Sequence, residues 1–161
     1  MRSMRYLIPL LLFPAAAQAQ DLIGSQGSWD IYRHEIDGQP VCYLVTAPEK
    51  SSGNFKSRGE PYLMVARNGS DEYEISASSG YLYKPGSSAK LSTDGAKFTL
   101  TTSNNRAWLK EDKDDSAAVK AMKQGDEIIL SGTSKRGTAS QDSFSLDGFS
   151  AAMRQLDKLC Q

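Results

Sequence analysis

Residues 29–47 read WDIYRHEIDGQPVCYLVTA, and this stretch decides the fold class. Two runs rich in β-branched and aromatic residues, Trp29–His34 and Pro40–Ala47, flank the turn pair Asp37–Gly38. A turn pair of this type between two such runs is typical of a β-hairpin. The stretch therefore predicts two antiparallel strands joined by a tight turn.

The same pattern of short apolar runs and turn residues continues along the chain and predicts further strands. These runs are 61–67, 72–78, 80–83, 89–93, 97–102, 106–109, 127–134 and 141–146. Turn signals separate them about every 8–12 residues, the spacing expected of a sandwich or barrel. Residues 49–59 are polar apart from Phe55 and are interpreted as a loop.

Two segments have helical features. Asp114, Asp115 and Ser116 offer caps and acidic first-turn residues for a short helix near 116–123. From Phe149 onward, apolar residues recur at helical spacing, with Asp147 or Ser150 as the expected cap. The predicted fold class is mainly β, an antiparallel β-sandwich or barrel-like sheet with this short helix and a C-terminal amphipathic helix.

The N-terminal residues 1–19 have the layout of a cleaved signal peptide. Two arginines precede the apolar run 6–16, and the small-x-small signal Ala17-Gln18-Ala19 follows it. The apolar run is too short to cross a hydrocarbon core of about 30 Å as a helix. We therefore expect an exported chain in which residues 20–161 form a single domain without a transmembrane segment.

Charge and cysteine content restrict the functional classes. The chain has 19 basic and 19 acidic side chains and no basic cluster, which excludes a nucleic-acid partner bound by phosphate neutralisation. The same balance gives no reason to expect a polybasic membrane-surface module. Cys42 and Cys160 are the only cysteines, and export into an oxidising compartment favours a structural disulfide between them.

Catalytic and metal-binding patterns are weak. There is no G-x-S-x-G sequence, and His34 is the single histidine, interpreted as a strand residue rather than a general base. Four acids at 111, 112, 114 and 115 lack the spacing of a calcium loop and are interpreted as a solvated helix start. We therefore predict no catalytic residue, no cofactor and no metal site.

Two other local patterns leave alternatives open. Residues 131–138, SGTSKRGT, combine hydroxyls, two cations and two glycines, which suit a hairpin turn or, less well, an anion cradle. Tyr81 and Tyr83 are expected on one strand face, either packing across strands or lining a sugar- or peptide-binding surface.

Taken in order, several segments resemble the invasion-associated locus B family of exported Gram-negative bacterial proteins. These segments are Gly27–Tyr32, Val41–Tyr43, Arg58–Val65, Ser79–Tyr81, Ala121–Gly125, Ser131–Thr138 and Asp142–Phe149, with Cys160 near the end. The resemblance implies a small β-rich periplasmic or envelope protein without known catalytic residues. A secreted or surface-associated location is also compatible with the resemblance. The resemblance further implies the cysteine pair Cys42 and Cys160.

The expected function is non-catalytic binding of a protein or an envelope component, linked to host-cell invasion in pathogenic relatives. Loops 48–60 and 134–141 would make the contacts, since binding residues tend to lie on loops held by a rigid scaffold. The candidate residues are Phe55, Lys56, Arg58, Lys135, Arg136 and Thr138. The alternative is a periplasmic carrier or sensor of a lipid or cell-wall fragment. The sequence specifies neither the partner nor the oligomeric state.

Overall fold

The computed structural model describes residues 21–67 and 72–160, so the predicted signal peptide and the predicted turn at 68–70 lie outside the described part. The elements within it are β1 (Asp21–Gln26), β2 (Trp29–Ile36), β3 (Gln39–Thr46), β4 (Lys50–Gly53), β5 (Tyr62–Arg67), β6 (Tyr73–Ser78), β7 (Ser88–Thr93), β8 (Ala96–Ser103), β9 (Arg106–Trp108), α1 (Asp112–Met122), β10 (Glu127–Thr133), β11 (Ala139–Ser145) and α2 (Phe149–Leu159).

All strands belong to one antiparallel sheet, in the order β1-β2-β3-β5-β6-β9-β8-β7-β10-β11-β4. The hairpin predicted from residues 29–47 is present as β2 and β3, with Tyr32 opposite Tyr43. Only three residues separate the end of β3 from β4, although β4 lies at the far edge of the sheet. The sheet therefore curves back on itself without closing. The prediction of a mainly antiparallel β protein with two helices is confirmed.

Two segments of the sheet were assigned wrongly from the sequence. The segment interpreted as a loop from 49 contains the strand β4, which pairs with β11 from Lys50 opposite Ser143 to Gly53 opposite Ser140. Its sequence, KSSG, has low β-propensity, so the pairing is imposed by its partner strand. Residues 80–83, predicted as a strand, form only an isolated bridge between Tyr83 and Ser134.

Both helices start differently from the sequence prediction. Helix α1 begins at Asp112, so the predicted cap residues Asp114 and Asp115 lie inside its first turn, where the helix dipole favours acids. Helix α2 begins after Gly148 rather than after an Asp147 or Ser150 cap. Gly148 has φ +78°, and a Cβ there would lie 2.2 Å from the Gln26 carbonyl oxygen, so only glycine fits.

The core lies on the inner face of the curved sheet and is covered by the helices. Buried residues alternate with more exposed ones along several strands, as Trp29 and Ile31 do in β2. Helix α2 packs its apolar side on β2 and β3, where the rings of Phe149 and Trp29 lie 4.8 Å apart. The largest fully buried side chains are Trp29, Phe144, Phe149, Ile31, Leu44, Leu63, Ile75, Leu91, Leu100, Met122, Ile128 and Leu130.

A disulfide joins β3 to the residue after α2. Cys42 and Cys160 are bonded with their Cα atoms 6.0 Å apart, and they are 118 residues apart in the chain. Both cysteines are buried. The predicted cysteine pairing is therefore present, and it holds α2 on the sheet.

Candidate functional site

The two loops expected to carry function meet at one end of the sheet. The loop after β4 and the turn between β10 and β11 come together because β4 pairs antiparallel with β11, with Gly53 opposite Ser140. The end of β4 therefore lies beside the start of β11. Residues 80–82 form a third wall, joined to the turn by a hydrogen bond from the Lys135 N–H to the Leu82 carbonyl (2.7 Å).

Between these walls lies a groove of about 580 Å³, which we call the loop groove. All six residues predicted to bind a partner line it, although the two loops are about 80 residues apart in the chain. The complete lining is Asn54, Phe55, Lys56, Ser57, Arg58, Gly80, Tyr81, Leu82, Ser134, Lys135, Arg136 and Thr138. Their common location is a structural fact, while their role in binding stays a prediction.

Arg58 is held by a buried carboxylate rather than exposed for a ligand. Its guanidinium donates hydrogen bonds of 2.5 and 2.9 Å to the two carboxylate oxygens of Asp142 and one of 3.1 Å to the Ser79 carbonyl. The Ser51 hydroxyl donates a further bond of 2.7 Å to Asp142. The hydrogen bonds to Asp142 raise the pKa of Arg58. Arg58 therefore fixes the loop to β11.

The aromatic rings of the groove are packed against each other. The Arg58 guanidinium lies 4.8 Å from the centre of the Phe55 ring, and Phe55 stacks on Tyr81 at 5.7 Å. Tyr81 in turn meets the edge of Tyr83 at 5.3 Å. The rings thus form a rigid wall, which corresponds to the packing interpretation of Tyr81 and Tyr83 even though the predicted strand is absent.

The tyrosine hydroxyls are also engaged. The Tyr81 hydroxyl lies 2.6 Å from the Ser140 hydroxyl, and the Tyr83 hydroxyl lies 2.9 Å from that of Ser79. Burial raises the pKa of Tyr83 to about 12, so its hydroxyl is protonated at neutral pH. These bonds fix the tyrosine wall.

The electrostatics of the loop groove are one-sided. Four cations and no carboxylate line it. The buried carboxylate of Asp142 neutralises only Arg58. Lys56, Lys135 and Arg136 are exposed. No ion pair joins these three to a carboxylate within residues 21–67 and 72–160. The lining of the groove therefore carries a net positive charge.

Two residues of this region were missed by the sequence analysis. Asp142 was not singled out, yet it lies between inward-facing Ser140 and Phe144 on the alternating pattern of β11. A carboxylate at an inward position of a strand indicates a buried cationic partner. Leu82 was also missed; this residue is 51% exposed, whereas its neighbour Tyr83 is buried.

The other candidate groups lie elsewhere. The ring of His34 lies on β2 and meets the ring of Tyr43 edge-on at 5.8 Å. The acids at the start of α1 are not all solvated, since Asp115 is 3% exposed and accepts a hydrogen bond of 2.6 Å from the Ile75 N–H. Burial raises the pKa of Asp115 to about 6. No group of His, Cys, Asp or Glu side chains in the described part is arranged to hold a metal ion.

A second cavity, of about 450 Å³, opens beside Asp115. Glu72, Glu74 and Asp112 line it together with Arg106. Electrostatic repulsion from Glu74 and Asp112 raises the pKa of Asp115 further. It shares no lining residue with the loop groove.

Within the described residues, the two helices are each too short and too polar to span a bilayer.

Comparison with solved structures identifies a similar fold. The crystal structure of invasion associated protein B from Bartonella henselae matches with a TM-score of 0.62 and 18% sequence identity, covering 88% of this chain and 96% of that one. At this identity the likeness concerns the fold alone. No curated protein sequence matches the chain significantly.

The family resemblance noted in the sequence is matched by a family model. The model described as "Invasion associated locus B (IalB) protein" covers residues 29–157, which span β2 to the last turns of α2 and include the loop groove. The chain belongs to the invasion associated locus B (IalB) protein family.

Proposed function

We propose that this protein is an exported, non-catalytic binding protein of the bacterial envelope, and that the loop groove is its binding site. The observation that carries the proposal is the convergence of Phe55, Lys56 and Arg58 with Lys135, Arg136 and Thr138 around one concave, cationic surface. Binding sites of proteins are typically concave and placed on loops held by a rigid scaffold. We propose binding only. Invasion appears in the names of the family and of the Bartonella henselae protein.

Several features support export and a binding role. The N-terminal residues have the layout of a signal peptide, and the disulfide between Cys42 and Cys160 is of the type that persists in oxidising compartments. The chain's only histidine packs against Tyr43, and both cysteines are bonded to each other. The two thiols are thus unavailable as nucleophiles, while the buried Nδ1 of His34 has no hydrogen-bond partner within the described residues.

Photocrosslinking in living cells tests the site. A photoreactive residue at Lys56 or at Lys135 should yield the same dominant adduct, because both exposed side chains border the loop groove. Lys97, an exposed lysine on β8 away from the groove, is the matched control. Adducts that are equal at Lys97 and Lys135, or absent from both groove positions of a folded exported protein, would contradict the proposal.

The volume of the groove favours a second candidate function, that of a carrier or sensor of a small ligand. At about 580 Å³ the groove falls within the range of small-molecule sites, roughly 300–1,000 Å³. A ligand that binds only the folded state raises the melting temperature. Soluble cell-wall fragments should then raise it for the wild type and leave a Lys135→Glu variant unchanged.

A further inference from the structure

The chemistry of the loop groove indicates more than a general preference for anions. Lys135 and Arg136 are adjacent at the tip of the turn, and Lys56 lies across the groove on the other loop. Leu82 belongs to the third wall, and 51% of this residue is exposed. Cations beside an exposed aliphatic side chain match a ligand that carries an anionic group next to an apolar portion.

The aromatic wall disfavours recognition of a neutral sugar. A neutral sugar stacks on an open aromatic face, but the ring of Phe55 is in contact with the Arg58 guanidinium and with the Tyr81 ring. Tyr81 is itself in contact with Phe55 and Tyr83. These rings therefore support the wall of the loop groove. Specific contacts to a ligand are left to the cations and the hydroxyls of the lining.

The backbone around the groove disfavours an extended peptide. Peptides that add a strand need free main-chain donors and acceptors. Here the Lys84 N–H bonds the Thr133 carbonyl, the Lys135 N–H bonds the Leu82 carbonyl, and the Gly59 N–H bonds the Gly80 carbonyl. The walls are thus bonded to each other, and recognition falls to side chains.

The remaining side chains suit a phosphate group. Three exposed cations provide the charge, and Ser57 and Thr138 add hydroxyl-bearing residues to the lining, while the Ser134 hydroxyl accepts a hydrogen bond from the Thr138 N–H. A phosphate monoester carries a charge near −1.5 to −2 and three acceptor oxygens, so it can use several of these donors at once. A single carboxylate can satisfy fewer of them.

We infer that the loop groove binds a phosphate monoester headgroup of a membrane lipid, with Lys56, Lys135 and Arg136 on the phosphate and Leu82 against the apolar portion. This inference rests on the proposed function and names the envelope component that the groove recognises. It places the turn between β10 and β11 and residues 80–82 at the membrane surface.

Vesicle co-sedimentation tests the inference on the purified full-length mature protein. Vesicles of phosphatidylcholine with phosphatidic acid should bind the protein, whereas phosphatidylcholine alone should not. Phosphatidylserine vesicles adjusted to the same surface charge should bind several-fold more weakly, because they lack a phosphate monoester. Equal binding to both anionic vesicles, or no binding to either, would overturn the inference.

Variants assign the binding to the groove. Lys135→Glu/Arg136→Glu should reduce the vesicle-bound fraction about tenfold or more, since each cation near an anionic surface contributes measurably to binding. Lys97→Glu/Lys120→Glu is the matched control with the same change of net charge at exposed positions outside the groove. Equal loss in both double variants would show that only net charge matters and would overturn the site.

Leu82→Ser separates a lipid from a free phosphate compound. It should reduce vesicle binding about fivefold through the loss of apolar burial. Calorimetric binding of glycerol 3-phosphate that matches the vesicle affinity and is unaffected by Leu82→Ser would instead identify a soluble phosphate ligand. Poly-glutamate that binds in place of vesicles would identify an acidic peptide. Either result overturns the lipid assignment.

The photocrosslinking experiment distinguishes failure of this inference from failure of the proposed function. Specific adducts with a protein at Lys56 and Lys135, without vesicle binding, would retain the groove as the binding site and reject the lipid. Absence of both adducts and vesicle binding would reject the groove itself.

Discussion

Arg58 and Asp142, 84 residues apart in the chain, form a two-pronged ion pair that joins the loop after β4 to β11. The Asp142 side chain is fully buried and that of Arg58 is 11% exposed. A buried charge that loses its partner is strongly destabilising, because the desolvation cost is then uncompensated. This pair therefore ties the loop that carries Arg58 to β11.

Asp142→Asn should lower the free energy of unfolding by about 3 kcal/mol, because it leaves the Arg58 guanidinium without its counter-charge. Urea denaturation of the folded protein measures the change. Arg58→Ala/Asp142→Asn should be destabilised by less than the sum of its single variants, since the two residues interact.

The exposed pair Arg33 and Glu35 is the control, with side chains 41% and 66% exposed. Glu35→Gln should change the free energy of unfolding by no more than about 0.5 kcal/mol, as is usual for surface pairs. Comparable losses from Glu35→Gln and Asp142→Asn would refute the structural role of the buried pair.

Ionisation of Asp115 should make stability fall as the pH rises from about 4 to about 6. Burial raises its pKa in the folded protein from 3.8 to about 6, so in this window the folded state binds more protons than the unfolded state. The stabilising contribution is therefore complete below pH 4 and lost above pH 6, a difference of about 2–3 kcal/mol.

Asp115→Asn isolates this effect. The amide oxygen can still accept the hydrogen bond from the Ile75 N–H, and the side chain no longer titrates. The wild-type stability, measured by urea denaturation at several pH values, should decrease relative to the variant between pH 4 and 6. Parallel curves for the two proteins would show that Asp115 is not the titrating group.

Replacement of both cysteines, Cys42→Ser/Cys160→Ser, should lower the free energy of unfolding by about 4 kcal/mol in the chain-entropy model of loop closure. The disulfide closes a loop of 118 residues, which is most of the folded domain. Urea denaturation without reductant provides the measurement. An unchanged midpoint would mean that the disulfide does not constrain the unfolded chain.

Gly80→Ala should destabilise the groove wall by about 2 kcal/mol or more. Gly80 has φ +75°, and a Cβ there would lie 2.0 Å from the Gly59 carbonyl oxygen, so the new methyl group must displace the neighbouring loop. Thermal unfolding measures the loss.

Gly86 provides the matched control because it has φ +73° with no atom within 4 Å of its Cβ position. Gly86→Ala should cost only about 1–2 kcal/mol, the penalty for a left-handed conformation. If the two variants lost equal stability, the contact between Gly80 and Gly59 would have no separate effect.

Much of the fold was predictable because its signals are local. The hairpin of β2 and β3 follows from the alternation of residues 29–47 around Asp37–Gly38, and α2 follows from the helical spacing of apolar residues after Phe149. The strand β4 escaped prediction because KSSG has low β-propensity and pairs with a strand some ninety residues later. Its formation depends on a partner that local patterns do not reveal.

The candidate site likewise has a part that was predictable from the sequence and a part that was not. Loop composition alone was enough to single out Phe55, Lys56, Arg58, Lys135, Arg136 and Thr138. The sequence did not indicate that they line one groove, that Arg58 is neutralised by Asp142, or that Leu82 is exposed beside them. Each of these facts depends on contacts between distant parts of the chain.

The amino-acid sequence by itself thus determined most of the strand and helix pattern, the family, the cysteine pairing favoured by export, and which loops are polar and cationic. Only the tertiary structure decided which charges are buried, which are exposed, and which loops share a surface. The physical reason is that periodicity and turn chemistry act between near neighbours. Burial and charge pairing arise when antiparallel strands such as β4 and β11 bring remote residues together.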